Sequence, residues 1–388
     1  MTRLAPNGLA ARIVLAILVA VGILYANFGP LIVSGLAHHD FTSAGAGYLL
    51  SVNLYGTALG GMLIVFFVRR VPWRVAGAVL MLVVLATDIG SLWLSDPQTL
   101  QIVRFAHGVA GGASMGIFGS VIARTTSPER TFALTIVIQL VLGGLATALL
   151  APIVVASGVA VIWICLIVFT TVGLVLLPWL DAYPAREPDP TNDSGEVRRG
   201  PWVAIALGCV ALFAYQAGQM STFAYVIELG ERHRLGADFV GTTVAIGQWV
   251  GGPAGLFVAW WSTRSGRLLP GAIGALLTSA SSAFFLAPGE FAFFVANVGL
   301  GVFFTVTIPY LLGVVAEMDN SGQIAALGGF VSSLGLATGP AIAATVLGDQ
   351  QYDRVVLFAV IALATTAVAV LSPARTLDRR DKHGRVVW

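Results

Sequence analysis

Charged side chains are scarce in this chain. Asp, Glu, Lys and Arg make up only 10% of the 388 residues, whereas 57% are apolar, and the mean hydropathy is +0.87. Soluble globular domains carry about 25% charged residues, so this composition argues against a soluble fold and indicates a membrane protein. The basic residues are spread over short loops, so the sequence predicts no nucleic-acid-binding surface.

Cysteine is almost absent, and the usual chemical motifs are missing. Cys165 and Cys209 lie in separate apolar runs, where they form neither a metal-ligand spacing nor a disulfide framework. The sequence contains no H-E-x-x-H, P-loop or dinucleotide-binding pattern. His38 and His39 precede Asp40 but have no further spaced ligands. We therefore expect no metal, no cofactor and no catalytic residue.

One segment does match a catalytic pattern. Gly112-Ala-Ser114-Met-Gly116 has the form G-x-S-x-G, which requires a strand-turn-helix context. Here the segment lies in an apolar, glycine-rich run, where small residues let helices pack closely. A membrane enzyme that acts on lipids, with Ser114 as its nucleophile, is kept as an alternative from another functional class.

Long apolar runs dominate the rest of the sequence. A bilayer core about 30 Å thick requires about 20 apolar residues of helix, and twelve runs of that size are bounded by charge, Pro or Gly. The first run is too long for the core of a cleaved signal and should remain in the protein. We number the runs spans 1 to 12 and predict them at residues 12–36, 45–68, 73–94, 99–123, 131–156, 160–180, 202–228, 238–262, 268–287, 291–316, 323–347 and 354–373.

The distribution of Lys and Arg predicts the orientation of these spans. Twelve spans place both termini on one side of the membrane, and 17 of the 21 cations fall on that side. The opposite loops hold only Arg232, Arg234 and Arg354. Because short cytoplasmic loops carry the excess of cations, both termini are expected to be cytoplasmic. Twenty Arg against one Lys suggest a GC-rich genome, and hence a bacterial cytoplasmic (inner) membrane.

A short basic segment that occurs twice indicates an internal duplication. The copies follow spans 2 and 8, and Arg69 and Arg267 occupy equivalent places 198 residues apart. Between the halves lies a polar segment rich in Pro, Asp and Glu, which is typical of a flexible linker. We therefore predict an all-α membrane protein with a six-helix bundle at 1–180, a cytoplasmic linker at 181–200, a second six-helix bundle at 201–375 and a cytoplasmic tail at 376–388.

The duplicated segment resembles a motif of the major facilitator superfamily of secondary transporters. In that family the loop after span 2 reads G-x-L-x-D-R-x-G-R-R, and this chain keeps Gly61, Leu63, Arg69 and Arg70. The copy after span 8 keeps Arg264, Gly266 and Arg267. Val65 and Thr263 stand at the acidic positions, so both copies have lost the carboxylate of the family's charge relay.

Two further segments support the resemblance. Arg104-Phe-Ala-His107-Gly108 in span 4 is similar to R-x-x-x-G, a pattern of the proton-coupled and drug-antiporter branches. Span 11 contains Gly335-Leu-Ala-Thr-Gly339-Pro340, similar to the antiporter signature G-x-x-x-G-P that the family carries in span 5. The resemblance implies two pseudo-symmetric bundles, a substrate site between them near the midplane, and alternating access.

The ionisable residues at membrane depth are the first functional candidates. Arg104 lies inside span 4, Asp88 is near the outer end of span 3, and His107 shares a helix face with Arg104. Histidine exchanges protons near neutral pH, so His107 is predicted to couple proton movement. Asp88 and Glu228 are predicted to do the same, because they are titratable groups in or near the spans. The alternatives are a structural Arg104–Asp88 pair or a snorkelling arginine, a packing role for His107, and a solvated loop position for Glu228.

Polar and aromatic residues of the other spans should face the protein interior, because lipid cannot satisfy their hydrogen bonds. By the resemblance, spans 1, 4, 7 and 10 line the cavity. The predicted substrate-binding residues are Tyr25, Phe28, Asn53, Arg104, His107, Gln139, Tyr215, Gln219, Gln248, Asn297 and Tyr310. Each of them would alternatively hold neighbouring helices together.

The loop arginines are predicted to act in topology and gating on the cytoplasmic face. They are Arg69, Arg70, Arg264 and Arg267. Their expected partners are the C-terminal ends of helices or the acids Glu129, Glu317 and Asp319.

Together these features predict a monomeric secondary active transporter for a small organic solute, working by alternating access and coupled to protons. An anionic or aromatic solute is favoured, because Arg104 and His107 outnumber the nearby acids and the predicted cavity, which includes Trp249 of span 8, is rich in Tyr, Trp and Gln. A drug or metabolite efflux antiporter is the alternative within this class. A non-transporting sensor that keeps the fold is a third possibility.

Overall fold

The computed structural model of the chain describes residues 3–39, 41–68, 70–183, 200–261, 266–319, 323–348 and 350–384. Side chains 129, 256–261 and 380–384 lie outside the description. Within these ranges the regular structure is helical, with an isolated bridge between Leu4 and Leu180. The described chain is therefore all-α, as expected.

The chain divides into two compact units, Met1–Pro190 and Thr191–Trp388. The division falls inside the predicted linker 181–200, most of which lies outside the described residues. In the described ranges each unit contains the six spans that the apolar runs predict, in the same order.

The first unit contains spans 1 to 6. Span 1 is broken into three helices, and span 6 continues into a short 3-10 helix, Leu177–Trp179. The helices of this unit are Leu9–Val21, Leu24–Asn27 and Gly29–Ala37 for span 1, then Ser43–Phe67, Trp73–Ser91, Pro97–Ile122, Pro128–Ser157 and Ala160–Leu176.

The second unit contains spans 7 to 12. Span 7 is interrupted at Tyr225, and span 12 is followed by a terminal helix. The helices are Trp202–Ala224 and Val226–Arg232 for span 7, then Ala237–Trp261, Leu268–Ala283 with the 3-10 turn Phe284–Leu286, Glu290–Ala316, Gln323–Leu347 and Tyr352–Ala369, with Leu371–Gly384 as the terminal helix.

Span 1 departs from the continuous helix predicted at 12–36. Its first break follows Gly22, where a Cβ would meet the carbonyl oxygen of Gly111 in span 4. Its second break is at Phe28, two residues before Pro30. Proline has no amide hydrogen and its ring clashes with the carbonyl four residues earlier, so the helix restarts at Gly29 with Pro30 in its first turn.

The lengths and exposed faces of the helices fit a lipid environment. Ten helices among the described residues are long and apolar enough to cross a membrane. Span 3 exposes Val75, Val79 and Leu82, which share one helix face. In water such a stripe would be an unpartnered hydrophobic patch, whereas lipid covers it without cost. The exposed apolar faces are therefore the lipid-facing surface.

Small residues bring the backbones of neighbouring spans into contact. A Cβ on Gly60 would meet the carbonyl oxygen of Val109, and one on Gly112 would meet that of Thr57, so spans 2 and 4 touch directly. In the second unit, a Cβ on Gly339 would lie 2.5 Å from the carbonyl oxygen of Ala217, where span 11 crosses span 7. Close approach of this kind replaces the missing hydrophobic drive in lipid.

The N-terminal segment is fastened to the end of span 6. The Leu4 amide donates to the Trp179 carbonyl at 2.8 Å, and the Tyr183 hydroxyl donates to the Pro6 carbonyl at 2.6 Å. Asp181 accepts a hydrogen bond from the Ala182 amide at 2.8 Å and pairs with the Arg3 guanidinium at 3.4 Å. The amide hydrogen bond, followed by Arg3, lowers the pKa of the Asp181 carboxyl below its ordinary value.

Candidate functional site

Arg104 of span 4 and Asp88 of span 3 form an ion pair inside the first unit. Arg104 Nη1 donates to Asp88 Oδ1 at 2.7 Å, and neither side chain is exposed. Arg104 lies about 10 Å along its helix from Pro97. Taking two charges out of water is costly, and pairing offsets that penalty. The Arg104–Asp88 pair, one of the alternatives above, is therefore formed.

Aromatic rings enclose the guanidinium of Arg104. Its Cζ lies 3.8 Å from the ring centroid of Trp163 in span 6 and 5.6 Å from that of Tyr25 in span 1. The rings of Tyr25 and Trp163 stack with an interplanar angle of 7°. A desolvated cation over an aromatic face gains about 2 kcal/mol. Trp163 was not predicted, because a single tryptophan in an apolar run carries no periodic signal of inward orientation.

His107 and Asn53 complete this cluster. His107 Nε2 lies 3.3 Å from Asp88 Oδ1, the oxygen that also binds Arg104. Asn53 Nδ2, from span 2, lies 2.8 Å from His107 Nδ1 and 2.8 Å from the carbonyl oxygen of Arg104. The structure thus brings together five residues that the sequence predicted separately, namely Tyr25, Asn53, Asp88, Arg104 and His107. We call them, with Trp163, the buried charged cluster.

The buried charged cluster is electrically balanced by Asp88. With Arg104 charged, Asp88 ionised and His107 neutral, its net charge is zero. A proton added to Asp88 would leave the Arg104 side chain, which has no exposed surface, without its counter-charge. Proton binding would therefore change the stability of the packing between spans 3 and 4.

The other predicted residues of the first unit lie outside this cluster. Phe28 is buried at the second break of span 1. Gln139 is half-buried in span 5. Their predicted role in substrate binding stays a prediction.

The predicted residues of the second unit are dispersed. The Tyr215 hydroxyl lies 3.0 Å from Thr278 Oγ1 and donates to the carbonyl oxygen of Phe303 at 3.2 Å, joining spans 7, 9 and 10. Asn297 donates to its own helix at the Phe293 carbonyl. Gln219 and Gln248 are half-buried, and Tyr310 is buried. Among the described residues, no hydrogen bond joins Tyr215, Gln219, Gln248 and Asn297 to one another.

One polar contact of the second unit was missed by the sequence analysis. Gln216 Nε2 donates to Ser332 Oγ at 2.8 Å, which ties span 7 to span 11. The polar stripe chosen from the sequence passes through Tyr215 and Gln219, and Gln216 lies beside it on the helix surface. A stripe followed in steps of three and four from Tyr215 passes over Gln216.

Glu228 is buried and does not lie in a solvated loop. The helix resumes at Val226 after the break at Tyr225, and Glu228 lies in its first turn. The alternative reading of Glu228 as a loop residue is therefore wrong. Its role in proton coupling stays a prediction.

Arg267 forms a second charged cluster at the junction of spans 8 and 9. Its Nε donates to Glu317 Oε1 at 3.0 Å, and its Nη2 also pairs with that carboxylate. Asp378, from the terminal helix, accepts from the Arg267 amide at 3.0 Å and the Leu268 amide at 3.2 Å. Gly266 has φ +76°, and a Cβ there would lie 2.8 Å from Asp378. Asp378 thus supplies a carboxylate beside a motif that has lost its own.

Of the remaining residues of the predicted gating set, Arg70 and Asp319 lie in the part of the chain that the structure describes. Arg70 is exposed, and Asp319 is buried near the start of span 11, where its Oδ2 accepts from the Ile324 amide at 3.4 Å. Arg69, Arg264 and the side chain of Glu129 lie outside the described residues. An arginine not in the set, Arg74 in the first turn of span 3, donates to the Leu180 carbonyl at the end of span 6.

The described residues lack the geometry of a serine nucleophile at Ser114 and of a metal site. Ser114 lies in the middle of the helix Pro97–Ile122 and is fully buried, without the strand-turn-helix context of a nucleophile elbow. Within the described part of the chain, no group of three or more His, Cys, Asp or Glu side chains could hold a metal ion.

Comparison with known proteins identifies the fold. The Major Facilitator Superfamily profile matches residues 14–340, whereas no curated protein matches the chain. A mutant of the nucleoside transporter NupG superimposes with a TM-score of 0.73 at 12% identity, over 93% of this chain and 99% of that one. A D-xylose-proton symporter gives 0.70 at 13% identity, over 92% and 96%.

The xylose transporter XylE from E. coli, in an inward-open conformation, gives a TM-score of 0.70 at 15% identity, over 93% of this chain and 98% of that one. At these identities the likeness establishes the fold alone, and the profile establishes the family. The chain therefore belongs to the Major Facilitator Superfamily, as a multi-pass membrane transporter and not an enzyme.

Proposed function

We propose that this chain is a proton-coupled secondary transporter of a small organic solute, in which the buried charged cluster binds and releases the proton. The observation that carries the proposal is the Asp88–Arg104 ion pair, with both side chains inaccessible and His107 beside it. Charges are costly at membrane depth, and such residues commonly serve ion pathways.

The free energies involved are comparable with those that coupling requires. Removing one partner of a buried ion pair costs about 3–5 kcal/mol. Moving a two-state equilibrium from 1:99 to 99:1 requires about 5.5 kcal/mol. One proton on Asp88 therefore has most of the free energy needed to exchange one transporter conformation for another.

The pairing also bears on the class of solute. The Arg104 charge is matched by Asp88, so it does not favour an anionic solute while Asp88 is ionised. The similar structures are named for a nucleoside and for xylose, which are uncharged polar molecules. We therefore propose an uncharged polar solute, with or without an aromatic ring, in preference to the anion that the sequence alone favours.

Proteoliposomes containing a pH-sensitive dye test this function. Uridine, D-xylose and benzoate are added separately across an imposed pH gradient, and proton and solute fluxes are recorded. We expect gradient-driven accumulation of one uncharged solute by the wild type. Asp88→Asn should retain exchange of that solute without a gradient but lose accumulation.

Asp96→Asn is the matched control. Asp96 lies in the same hairpin as Asp88 but is exposed and caps span 4 through the Thr99 amide at 2.8 Å, and asparagine caps helices equally well. It should behave as wild type. Accumulation that ignores the pH gradient, or that persists in Asp88→Asn, would exclude the proposed coupling.

We further propose that both termini face the cytoplasm of a bacterial cell and that the protein works as a monomer. The excess of Lys and Arg in the terminal and alternate loops supports this orientation. Reporter domains active only in the cytoplasm or only outside it, fused after the terminal helix, test the orientation. Mass measurement of the purified protein tests the oligomeric state.

A further inference from the structure

We propose that Asn53 is a positioning residue that holds His107 in the tautomer with its hydrogen on Nε2, directed at Asp88. The effect of this inference on transport rests on the proposed function, whereas the direct test of the His107 tautomer does not. Asn53 lies on span 2, whereas the groups it orders lie on spans 3 and 4.

The orientation of the Asn53 amide follows from the chemistry of its neighbours. Asn53 Nδ2 lies 2.8 Å from the carbonyl oxygen of Arg104, and a carbonyl oxygen only accepts hydrogen bonds. The NH2 group of Asn53 must therefore face Arg104. The opposite orientation would place two acceptor oxygens in contact.

The same NH2 group determines which nitrogen of His107 carries hydrogen. Asn53 Nδ2 also lies 2.8 Å from His107 Nδ1, so Nδ1 must accept and carries no hydrogen. In a neutral imidazole the hydrogen is then on Nε2. Nε2 lies 3.3 Å from Asp88 Oδ1 without a hydrogen-bond partner in this arrangement, so its hydrogen is placed beside the carboxylate.

Packing of spans 2 and 4 holds Asn53 at this place. A Cβ on Gly108 would collide with the carbonyl oxygen of Asn53, and one on Gly56 with that of Phe105. The two backbones meet because these positions carry no side chain. Asn53 itself has no exposed surface, so water does not compete for its amide.

The groups that face His107 decide where an additional proton goes. They are Tyr25 from span 1, Asn53 from span 2 and Asp88 from span 3, with Arg104 three residues away on the same helix. A hydrogen on Nδ1 would oppose the Asn53 NH2 group. Turning the amide to relieve this contact would set its oxygen against the Arg104 carbonyl.

Asn53 therefore disfavours a doubly protonated His107 and leaves Asp88 as the proton acceptor. The proton binds the carboxylate at Oδ2, because Oδ1 already accepts from Arg104. The cluster charge rises from zero to plus one, and it returns to zero when the proton leaves. His107 keeps its Nε2 hydrogen throughout.

Nitrogen-15 NMR of histidine-labelled protein in lipid nanodiscs tests the tautomer. The chain has five histidines, and the His107 signals are those missing from His107→Gln. In the wild type we expect one protonated ring nitrogen, Nε2, near neutral pH. Asn53→Leu, which removes the donor at similar size, should give a mixture of tautomers.

Asn53→Asp provides a second variant if Asn53→Leu does not fold. Its carboxylate accepts hydrogen bonds, so His107 should become protonated on Nδ1. Thr147→Val is the matched control: Thr147 is buried in span 5 and donates to its own helix at the Gly143 carbonyl. It should leave the His107 signals unchanged.

The results separate this inference from the proposed function. A wild-type His107 with its hydrogen on Nδ1, or an unchanged tautomer in both Asn53 variants, would overturn the inference even if transport is proton-coupled. If the tautomer behaves as expected while transport ignores pH, the proposed function fails and the positioning role stands. If both hold, Asn53→Asp should move the pH midpoint of transport by up to about one unit.

Discussion

The guanidinium of Arg104 lies over the indole of Trp163, with 3.8 Å between Cζ and the ring centroid. Its charge is thus covered by an aromatic face while its Nη1 binds Asp88. Few other arrangements allow an arginine with no exposed surface to remain charged at membrane depth. The stability of the first unit should therefore depend on all three side chains, to different extents.

Loss of the Asp88 carboxylate should destabilise the protein strongly. Asp88→Asn leaves a buried guanidinium without its counter-charge, so we expect a loss of about 3–5 kcal/mol of unfolding free energy. Unfolding of the purified protein in detergent, followed by fluorescence, measures it. The double variant Asp88→Leu with Arg104→Met should recover most of the loss, because it removes both charges. Equal stability of Asp88→Asn and wild type would contradict the pairing.

Changes at Trp163 should have a smaller effect. Trp163→Phe keeps a weaker aromatic face over Arg104, so we expect a loss of about 1–2 kcal/mol, and a larger one in Trp163→Leu. Trp93→Phe is the control, because Trp93 is 75% exposed and should change stability little. A similar thermal shift in Trp93→Phe and Trp163→Phe would mean that the cation contact contributes nothing.

The glycine contacts between spans 2 and 4 predict a sharp contrast between two alanine variants. Gly112→Ala places a Cβ against the Thr57 carbonyl, and forced separation of the backbones should cost about 1–3 kcal/mol. Gly90→Ala meets nothing within 4 Å and should stabilise its helix by about 0.5–1 kcal/mol. Thermal unfolding of the two variants side by side checks the sign of each effect.

The two acids bound to Arg267 should contribute unequally. Asp378 accepts from two amides at the start of span 9 and its side chain is 20% exposed, whereas Glu317 is 45% exposed. We expect Asp378→Asn to cost about 1–2 kcal/mol and Glu317→Gln less than about 1 kcal/mol. Limited proteolysis of the terminal helix reports the docking directly. Faster cleavage in Glu317→Gln than in Asp378→Asn would reverse this ranking.

The attachment of the N-terminal segment should weaken in acid. The pKa of Asp181 is lowered in the folded protein, chiefly by the Ala182 amide and then by Arg3. A lowered pKa means that the stabilising contribution is complete above the unfolded value, at about pH 4. It is lost as pH falls through the folded value. The difference in hydrogen exchange at Leu4 between wild type and Asp181→Asn should therefore be constant near neutrality and vanish in strong acid.

The helical architecture could be predicted because its causes are local. Each span needs only enough consecutive apolar residues to cross the bilayer, so spans such as the predicted 323–347 coincide with the observed Gln323–Leu347. Span 1 failed as a single helix because one of its breaks occurs where Gly22 meets span 4, a contact between distant residues. The interruption of span 7 at Tyr225 has no proline or close glycine contact to explain it.

Most residues of the candidate site could be predicted from the sequence, whereas the contacts between them could not. An ionisable residue in an apolar run is conspicuous. Arg104, His107 and Asp88 were therefore identified from the free-energy cost of placing an ionisable side chain in the membrane. Asn53 was identified as polar, but its contact with His107 depends on how spans 2 and 4 cross. Asp378 comes from the terminal helix, 111 residues from Arg267, and no pattern in the sequence connects the two.

The sequence by itself determined that this protein is a membrane protein with an internal duplication. It also determined which ionisable residues lie in apolar spans, because the free energy of transfer from water to lipid depends on residue type and on the length of the apolar run. Only the tertiary structure decided that Arg104 is matched by Asp88 and covered by Trp163, and that Asn53 faces His107. Those facts depend on interhelical distances of a few ångströms. They are set by where glycines allow two backbones to meet, and the order of residues along one helix does not contain that information.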